Sequence, residues 1–480
     1  MPKPQQQTEP TAQRTQLAKR LSPLSVWALS LGCIIGWGSF ILPGTTFLPQ
    51  AGPAGTLLAL AIAAVVMIII AFNYSFLIKR YPYAGGEYSY VNATFGARHA
   101  FIMSWLLGLC YLALVAQNAT ALALVARNVV GGVFRTGFLY SFAGYDIYAG
   151  ELCLALAALL LFAALSIRGV KLAGLFQTVL VLAIVFGVGA TLAATIDQVG
   201  PQAFFAPRPA FSPITPPLHG VLVVLAIAPF LFVGFDTIPQ AAEEYHFPPV
   251  KTKGLIILSL VFGALIYAAL TFLASSTGPN ALQGWDGYLN ASADGIEGIP
   301  TFNAAQTFLG LPGIVLLSVA ACGAILSGIV GFYMATSRLL FALARDGFLP
   351  DWFASVHPRY RTPHHALLFI FAVSAIAPFF GRTVLGWLVD MSALGAAVAY
   401  AYASLVTWRH ARCEYKTAYQ LTGALGFAFS LVFVILLLVP IPGLHASLGV
   451  ESYVCLVLWI VVGAIFFLGT KRNRQGRDKA

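Results

Sequence analysis

Charged residues are scarce in this chain: Asp, Glu, Lys and Arg together make up 9% of 480 residues, against about a quarter in a soluble globular domain. That scarcity excludes an ordinary soluble fold. Eight histidines and six cysteines are present, and no grouping of His, Cys, Asp or Glu has the spacing of a metal site or a catalytic dyad, so neither an enzyme nor a cofactor is expected. Cys33, Cys110, Cys153, Cys322, Cys413 and Cys455 lie in or beside apolar runs without paired spacing, as buried free thiols do. No filter motif or ring of charge marks an ion channel. A membrane-bound nutrient sensor would be expected to carry a sizeable soluble extension, whereas the polar tails cover only 1–22 and 471–480. No cleavable signal peptide is apparent, because the first apolar run is long and merges into a full span.

Apolar sequence dominates instead, with 59% hydrophobic residues and a mean hydropathy of +0.83. Runs near the ~20 residues that cross a bilayer number about twelve. They lie at 25–49, 54–78, 100–126, 147–166, 173–195, 217–241, 255–275, 312–340, 364–381, 383–408, 417–440 and 450–469. The expected fold class is therefore an all-α membrane protein of about twelve transmembrane helices, a permease-like domain over 23–470 in contact with the lipid bilayer. A tight outer turn is required at Gly381-Arg382, and the longest outer loop, 276–311, carries the sequon at Asn290. If both termini are cytoplasmic, every Lys and Arg except Arg127, Arg135, Arg208 and Arg382 falls inside, the bias that orients membrane proteins. The net charge of +10 is thus topological, and nucleic acid need not be invoked.

Two spans are broken alike. Gly36-Trp37-Gly38-Ser39-Phe40-Ile41-Leu42-Pro43 and Gly234-Phe235-Asp236-Thr237-Ile238-Pro239 each place a Gly five residues before a Pro inside an apolar run. Hydrocarbon offers backbone groups no partner, so a break at membrane depth survives only where it lines a cavity or meets a ligand. Paired breaks in corresponding halves of a chain are the mark of a transporter's binding site. At the first break the N–H groups of Trp37, Gly38, Ser39 and Phe40, next to Ile35 and Gly36, stand at the positive end of a half-helix and suit a carboxylate. At the second, the half-helix ending near Phe230 to Val233, with Phe232 within it, turns carbonyls outward and suits an ammonium. An α-amino acid carries both groups.

Other strings narrow the class. Arg80-Tyr-Pro-Tyr-Ala-Gly-Gly-Glu-Tyr-Ser-Tyr90 follows the second span, Ser337-Arg338 and Ala344-Arg-Asp-Gly-Phe-Leu-Pro350 follow the eighth, and Arg361-Thr-Pro363 precedes the ninth. Together with the two breaks, these resemble the permeases of the amino acid-polyamine-organocation superfamily over about residues 24–416. The resemblance implies the leucine-transporter fold, in which spans 1–5 (about 23–196) and 6–10 (about 215–410) are inverted repeats and spans 11–12 (about 417–470) are peripheral. It also implies that Phe230 is the aromatic gate over the substrate. Many relatives carry in span 5 a Lys that replaces a sodium ion; counted from Arg168-Gly-Val-Lys-Leu-Ala-Gly-Leu-Phe-Gln177, that place holds Ile184.

The remaining candidates are polar groups among apolar ones. Asp236 lies deep in a span, where an ionised carboxylate is expensive, so it is the candidate proton carrier and equally a candidate N-cap for the half-helix that follows. Gln117 and Asn118 either satisfy each other or a neighbouring helix, or read a substrate side chain. Glu87, Glu243 and Glu244 are candidate inner gates with Arg80, Arg98 or Arg338. No acidic cluster lines the expected site, which favours a neutral amino acid over an amine or polyamine. The expected function is secondary active transport across the cell membrane by alternating access, with proton or sodium coupling, uncoupled exchange and a homo-oligomer all left open.

Overall fold

The computed structural model describes residues 17, 19–205, 209–277, 299–441 and 447–477, so the sequon at Asn290 lies outside the described residues. Almost all of it is helix. The first half comprises α1 (Pro23–Ile35), α2 (Gly38–Leu42), α3 (Leu48–Arg80), α4 (Glu87–Phe95), α5 (Ala97–Val130), α6 (Ala149–Arg168), α7 (Val170–Val199) and the short α8 (Pro201–Phe205). The second comprises α9 (Pro217–Ala226), α10 (Ala228–Phe232), α11 (Thr237–Gln240), α12 (Thr252–Ser275), α13 (Pro300–Arg345), α14 (His364–Ser374) and α15 (Val384–Cys413). Two further helices, α16 (Thr417–Leu438) and α17 (Val450–Arg477), complete the chain.

Among the described residues nine helices are long and apolar enough to cross a membrane. One of these, Pro23–Arg80, contains two of the expected spans joined through a π-helical turn at Pro43–Phe47 and a bend at Gly52. Two other spans are present as shorter apolar helices, Pro217–Ala226 and His364–Ser374. The difference from twelve is therefore one of interruption. Span 9, expected to run to 381, ends as α-helix at Ser374 and continues as a 3-10 segment, Ala377–Thr383, because Pro378 lacks an amide donor and Gly381 takes φ +59°. The outer loop expected at 276–311 is helical from Pro300, bending into span 8 at Gly310 and Pro312.

Apolar side chains on the outer spans face the bilayer: Val457, Leu458, Ile465 and Leu468 of α17 are all more than half exposed. A Trp pair fastens that last span. The indoles of Trp105 and Trp459 stack at 4.7 Å, and each Nε1–H donates to the other's backbone carbonyl, at 2.8 and 2.9 Å.

One element escapes the apolar pattern. Phe138–Phe142 and Tyr145–Tyr148 form an antiparallel hairpin between α5 and α6, turned by Ala143 and Gly144 at positive φ as a two-residue hairpin loop requires. Its anchor is Arg127, whose guanidinium bonds both Glu151 carboxylate oxygens and the Asp146 carbonyl and lies over the Tyr145 ring. The Tyr140 hydroxyl in turn donates to the Phe379 carbonyl at 2.6 Å, tying the hairpin to the turn before α15.

Candidate functional site

α1 begins by rule, with Pro23 at its first position and the Ser22 hydroxyl accepting the Ser25 amide at 3.1 Å. It stops at Gly36, which adopts φ +24° and ψ −174°, and helix resumes at Gly38. The second break follows a bend at Ile227, ahead of Pro229; after α10 the chain extends at Val233 and turns at Gly234 with φ +135°. Gly234 is required twice over. Its φ is foreign to residues with a Cβ, and a Cβ there would lie 2.7 Å from both Cys33 Cβ and the Ile34 amide nitrogen. On the other side of the contact a Cβ on Gly38 would sit 3.2 Å from the Phe230 ring. The two breaks are therefore face to face, each packed on the other's glycine.

This zone is enclosed. Trp37 and Phe230 are 7% and 6% exposed, and Ile35, Gly38, Ser39, Phe40, Phe232, Gly234 and Asn118 are buried, with Gly36 half-buried. Phe232 packs on Tyr267 of α12, whose hydroxyl donates to the Ile34 carbonyl at 3.4 Å. The expectation of four free amides needs correction: Phe40 N–H donates to the Trp37 carbonyl at 3.1 Å, a tight first-turn bond. The Ser39 hydroxyl is likewise used, donating to the Gly36 carbonyl at 3.0 Å. Gly38 and Ser39 amides belong to a first helical turn, where a helix has no partner of its own to offer.

Asp236 is fully buried and does not cap α11 with its side chain. The reason lies in closer donors. Oδ1 accepts the Gly234 amide at 2.7 Å, stitching the break closed, and Oδ2 accepts the Tyr111 hydroxyl at 2.8 Å. Tyr111 was not singled out from sequence, although it stands seven residues before Asn118 and so shares its helix face. Gln117 and Asn118 do not satisfy each other. Asn118 Nδ2 donates back to the Leu114 carbonyl at 2.8 Å; its Oδ1, both polar atoms of Gln117 and the Trp37 indole nitrogen are buried without a partner among the described residues. Asn118 Oδ1 lies beside the first break, 3.7 Å from where a Gly36 Cβ would be.

Ile184, in the place of the relatives' Lys, is fully buried, 3.2 Å from where a Cβ on Gly323 of α13 would be. Neutral donors serve the α1 carbonyls in that region. Gln177 Nε2 reaches the Ala28 carbonyl at 3.3 Å, and the Ser327 hydroxyl reaches that of Gly32 at 2.9 Å.

Below the breaks, at the basic end, the gate candidates are re-paired. Arg338 and Glu244 form a bidentate pair at 2.7 and 3.2 Å, 1% and 0% exposed, and Arg338 also donates to the Ser337 hydroxyl at 2.8 Å. Glu243 takes Arg345 at 3.2 Å. Glu87 was expected to meet Arg80, Arg98 or Arg338 and meets none of them, because Arg80 is engaged by Glu414, Arg98 is exposed on the first turn of α5, and Arg338 is taken. Its partner is Gln240, whose Nε2 donates to Oε2 at 2.5 Å. Burial, and secondarily the Asp236 carboxylate, push the Glu87 carboxyl well above the usual carboxylate range. The Arg20 and Leu21 amides both donate to the Glu244 carbonyl at 2.9 Å, so the segment before α1 straps this closure.

A helical bundle that spans the membrane many times and buries two broken helices against each other has the build of a membrane carrier. The chain belongs to the amino acid permease family, whose model matches residues 21–465, within the amino acid-polyamine-organocation superfamily. It is 28% identical to a methylthioribose transporter of Bacillus subtilis over 98% of this chain and 97% of that protein. It is 25% identical to the branched-chain amino acid permease BcaP of the same organism, covering 97% and 96%. A vacuolar cationic amino acid transporter 4 of Arabidopsis thaliana is 28% identical over 82% of this chain and 63% of its own length. The protein is accordingly a transporter of amino acids or related organic molecules, and not an enzyme.

Proposed function

We propose that this permease moves a small neutral amino acid across the cell membrane by alternating access, with both termini cytoplasmic. The observation that carries the reading is the contact of the two breaks, Gly234 on Cys33–Ile34 and Phe230 on Gly38. The substrate carboxylate sits at the Gly38 and Ser39 amides, where the helix dipole is positive, and the ammonium at the carbonyl end of α10. Phe230 closes over the substrate. The Gln117 amide and Asn118 Oδ1, which have no partner among the described residues, serve the substrate side chain. Arg338–Glu244 is the inner gate, formed while the site is closed to the cytoplasm and broken on opening. Asp236, or Glu87 beneath it, carries the coupling proton, since Ile184 offers no ammonium.

Thermal stability of the purified protein against amino acids and their decarboxylated amines tests this, because a ligand that binds only the folded state raises stability with concentration. Stabilisation by a neutral amino acid and not by its amine is expected. Equal stabilisation by the amine removes the carboxylate cradle from the account.

A second reading has one observation in its favour. Buried amides without partners also suit hydroxyl groups, and the relative named as a methylthioribose transporter aligns over almost the whole chain. Methylthioribose in the same melting series decides between the two.

A further inference from the structure

Where α1, α7 and the segment between α13 and α14 meet at the basic end, a cavity of about 560 Å³ opens outside the closed gate. Four cations from three stretches of the chain line it: Arg20 before α1, Arg168 and Lys171 on either side of the α6–α7 junction, and Arg359 beyond α13. Among the described residues no carboxylate lines it, and none of the four has a salt-bridge partner. The Arg359 guanidinium lies over the ring of its neighbour Tyr360. Four leucines, Leu21, Leu24, Leu172 and Leu175, share the remaining wall with the hydroxyls of Ser22, Ser25 and Thr178, and of these leucines Leu24 and Leu175 are 53% and 61% exposed.

The orienting bias of basic residues explains why cations occur on this face, but it does not explain why four converge on one cavity without an acid. Elsewhere on the same face some basic residues are paired, Arg80 and Lys416 with Glu414 and Arg345 with Glu243, and those unpaired among the described residues, such as Arg98, Lys251 and Arg412, do not line this cavity. An unneutralised group of cations beside leucines at the membrane boundary has the two-part chemistry of a phospholipid: anionic head, apolar tail. We propose that this cavity is a binding site for the headgroup of an anionic phospholipid, with its acyl chain along Leu24 and Leu175.

The consequence reaches the gate. Arg20 belongs to the strap whose amides hold the Glu244 carbonyl. A headgroup bridging Arg20 to Arg168, Lys171 and Arg359 braces that strap, so bound anionic lipid favours the closed basic end.

The test uses the full-length protein in detergent, supplied with phosphatidylglycerol, with phosphatidylcholine of the same chains, or with inorganic phosphate alone. Melting temperature and lipid retention by native mass spectrometry are read. Phosphatidylglycerol is expected to be retained and to raise the melting temperature more than phosphatidylcholine does, with inorganic phosphate reproducing little of the effect. Arg168→Gln, Lys171→Gln and Arg359→Gln, made singly and together, are each expected to weaken retention about fivefold per cation removed. The same change at Arg135 or Arg382, at the opposite end, leaves retention unchanged. The single variants decide the matter if the triple variant does not fold. Equal action of the two lipids, retention unaffected in the single variants, or full reproduction of the shift by inorganic phosphate each overturns the proposal.

Discussion

Replacing Glu244 by Gln tests the gate most directly. The wild-type pair is almost fully buried, with two Arg338–Glu244 bonds at 2.7 and 3.2 Å. Gln keeps the size of the side chain and leaves a buried guanidinium without its anion. Removing one partner of such a pair is destabilising by about 3–5 kcal/mol, whereas replacing both by apolar residues is close to neutral. Because the loss falls on the closed arrangement, where Arg338 is dry, the closed-to-open equilibrium shifts by about two to three and a half orders of magnitude at ~1.4 kcal/mol per tenfold.

Cys33 reports the shift. It is 4% exposed, on α1 next to the break and against Gly234, and opening of the basic end loosens this packing. Alkylation by a small thiol reagent, followed at the Cys33 peptide by mass spectrometry, is expected to accelerate by roughly a hundredfold or more in Glu244→Gln, following the equilibrium shift. It returns towards the wild-type rate in the double variant Arg338→Met/Glu244→Leu. A folded Glu244→Gln protein that labels at the wild-type rate refutes the gate. Equal labelling of the single and double variants refutes the physical account of it, since uncompensated charge would then not be the cause.

Two further expectations follow from the geometry. Gly234→Ala meets both a positive φ and a neighbour at 2.7 Å, so it is expected to abolish uptake and to lose about 2–5 kcal/mol of stability; Gly108→Ala, whose nearest neighbour stands 4.0 Å away, is the neutral comparison, and equal effects would remove the break from the account. Glu87 supplies a pH dependence. Its folded-state carboxyl is raised above the unfolded value, so its stabilising contribution is complete below the ordinary carboxylate range and is lost as pH rises through the raised value. Melting temperature should therefore fall less from about pH 5 to about pH 8 in Glu87→Gln than in the wild type, and identical slopes would show that Glu87 does not titrate in this window.

The spans and the positions of the two breaks were legible because they rest on local rules. An apolar run of membrane length must be helical, and a Gly-to-Pro interruption inside it must be accommodated. The same locality explains where the reading fell short. Asp236 stands immediately before α11, at the position where local preference puts a cap, but its oxygens were claimed by Gly234 behind it and by Tyr111 from a distant helix. Phe40's amide was lost to a bond three residues long that apolar pattern does not reveal. The hairpin at 138–148 is short, lies almost wholly between two expected spans and is held by Arg127 and Glu151, which periodicity does not connect.

Beside the resemblance that set Ile184 in the place of a relative's Lys, the sequence by itself determined that this chain crosses a membrane repeatedly and that two of its helices break at corresponding places. Those are properties of composition and of neighbours along the chain. Which residues meet was decided only by the tertiary structure: Arg338 finds Glu244 across 94 positions and Glu87 finds Gln240 across 153. Charges of opposite sign are interchangeable in a one-dimensional pattern. Burial makes them specific, because a dry carboxylate must be satisfied by whichever donor the packed helices bring within reach.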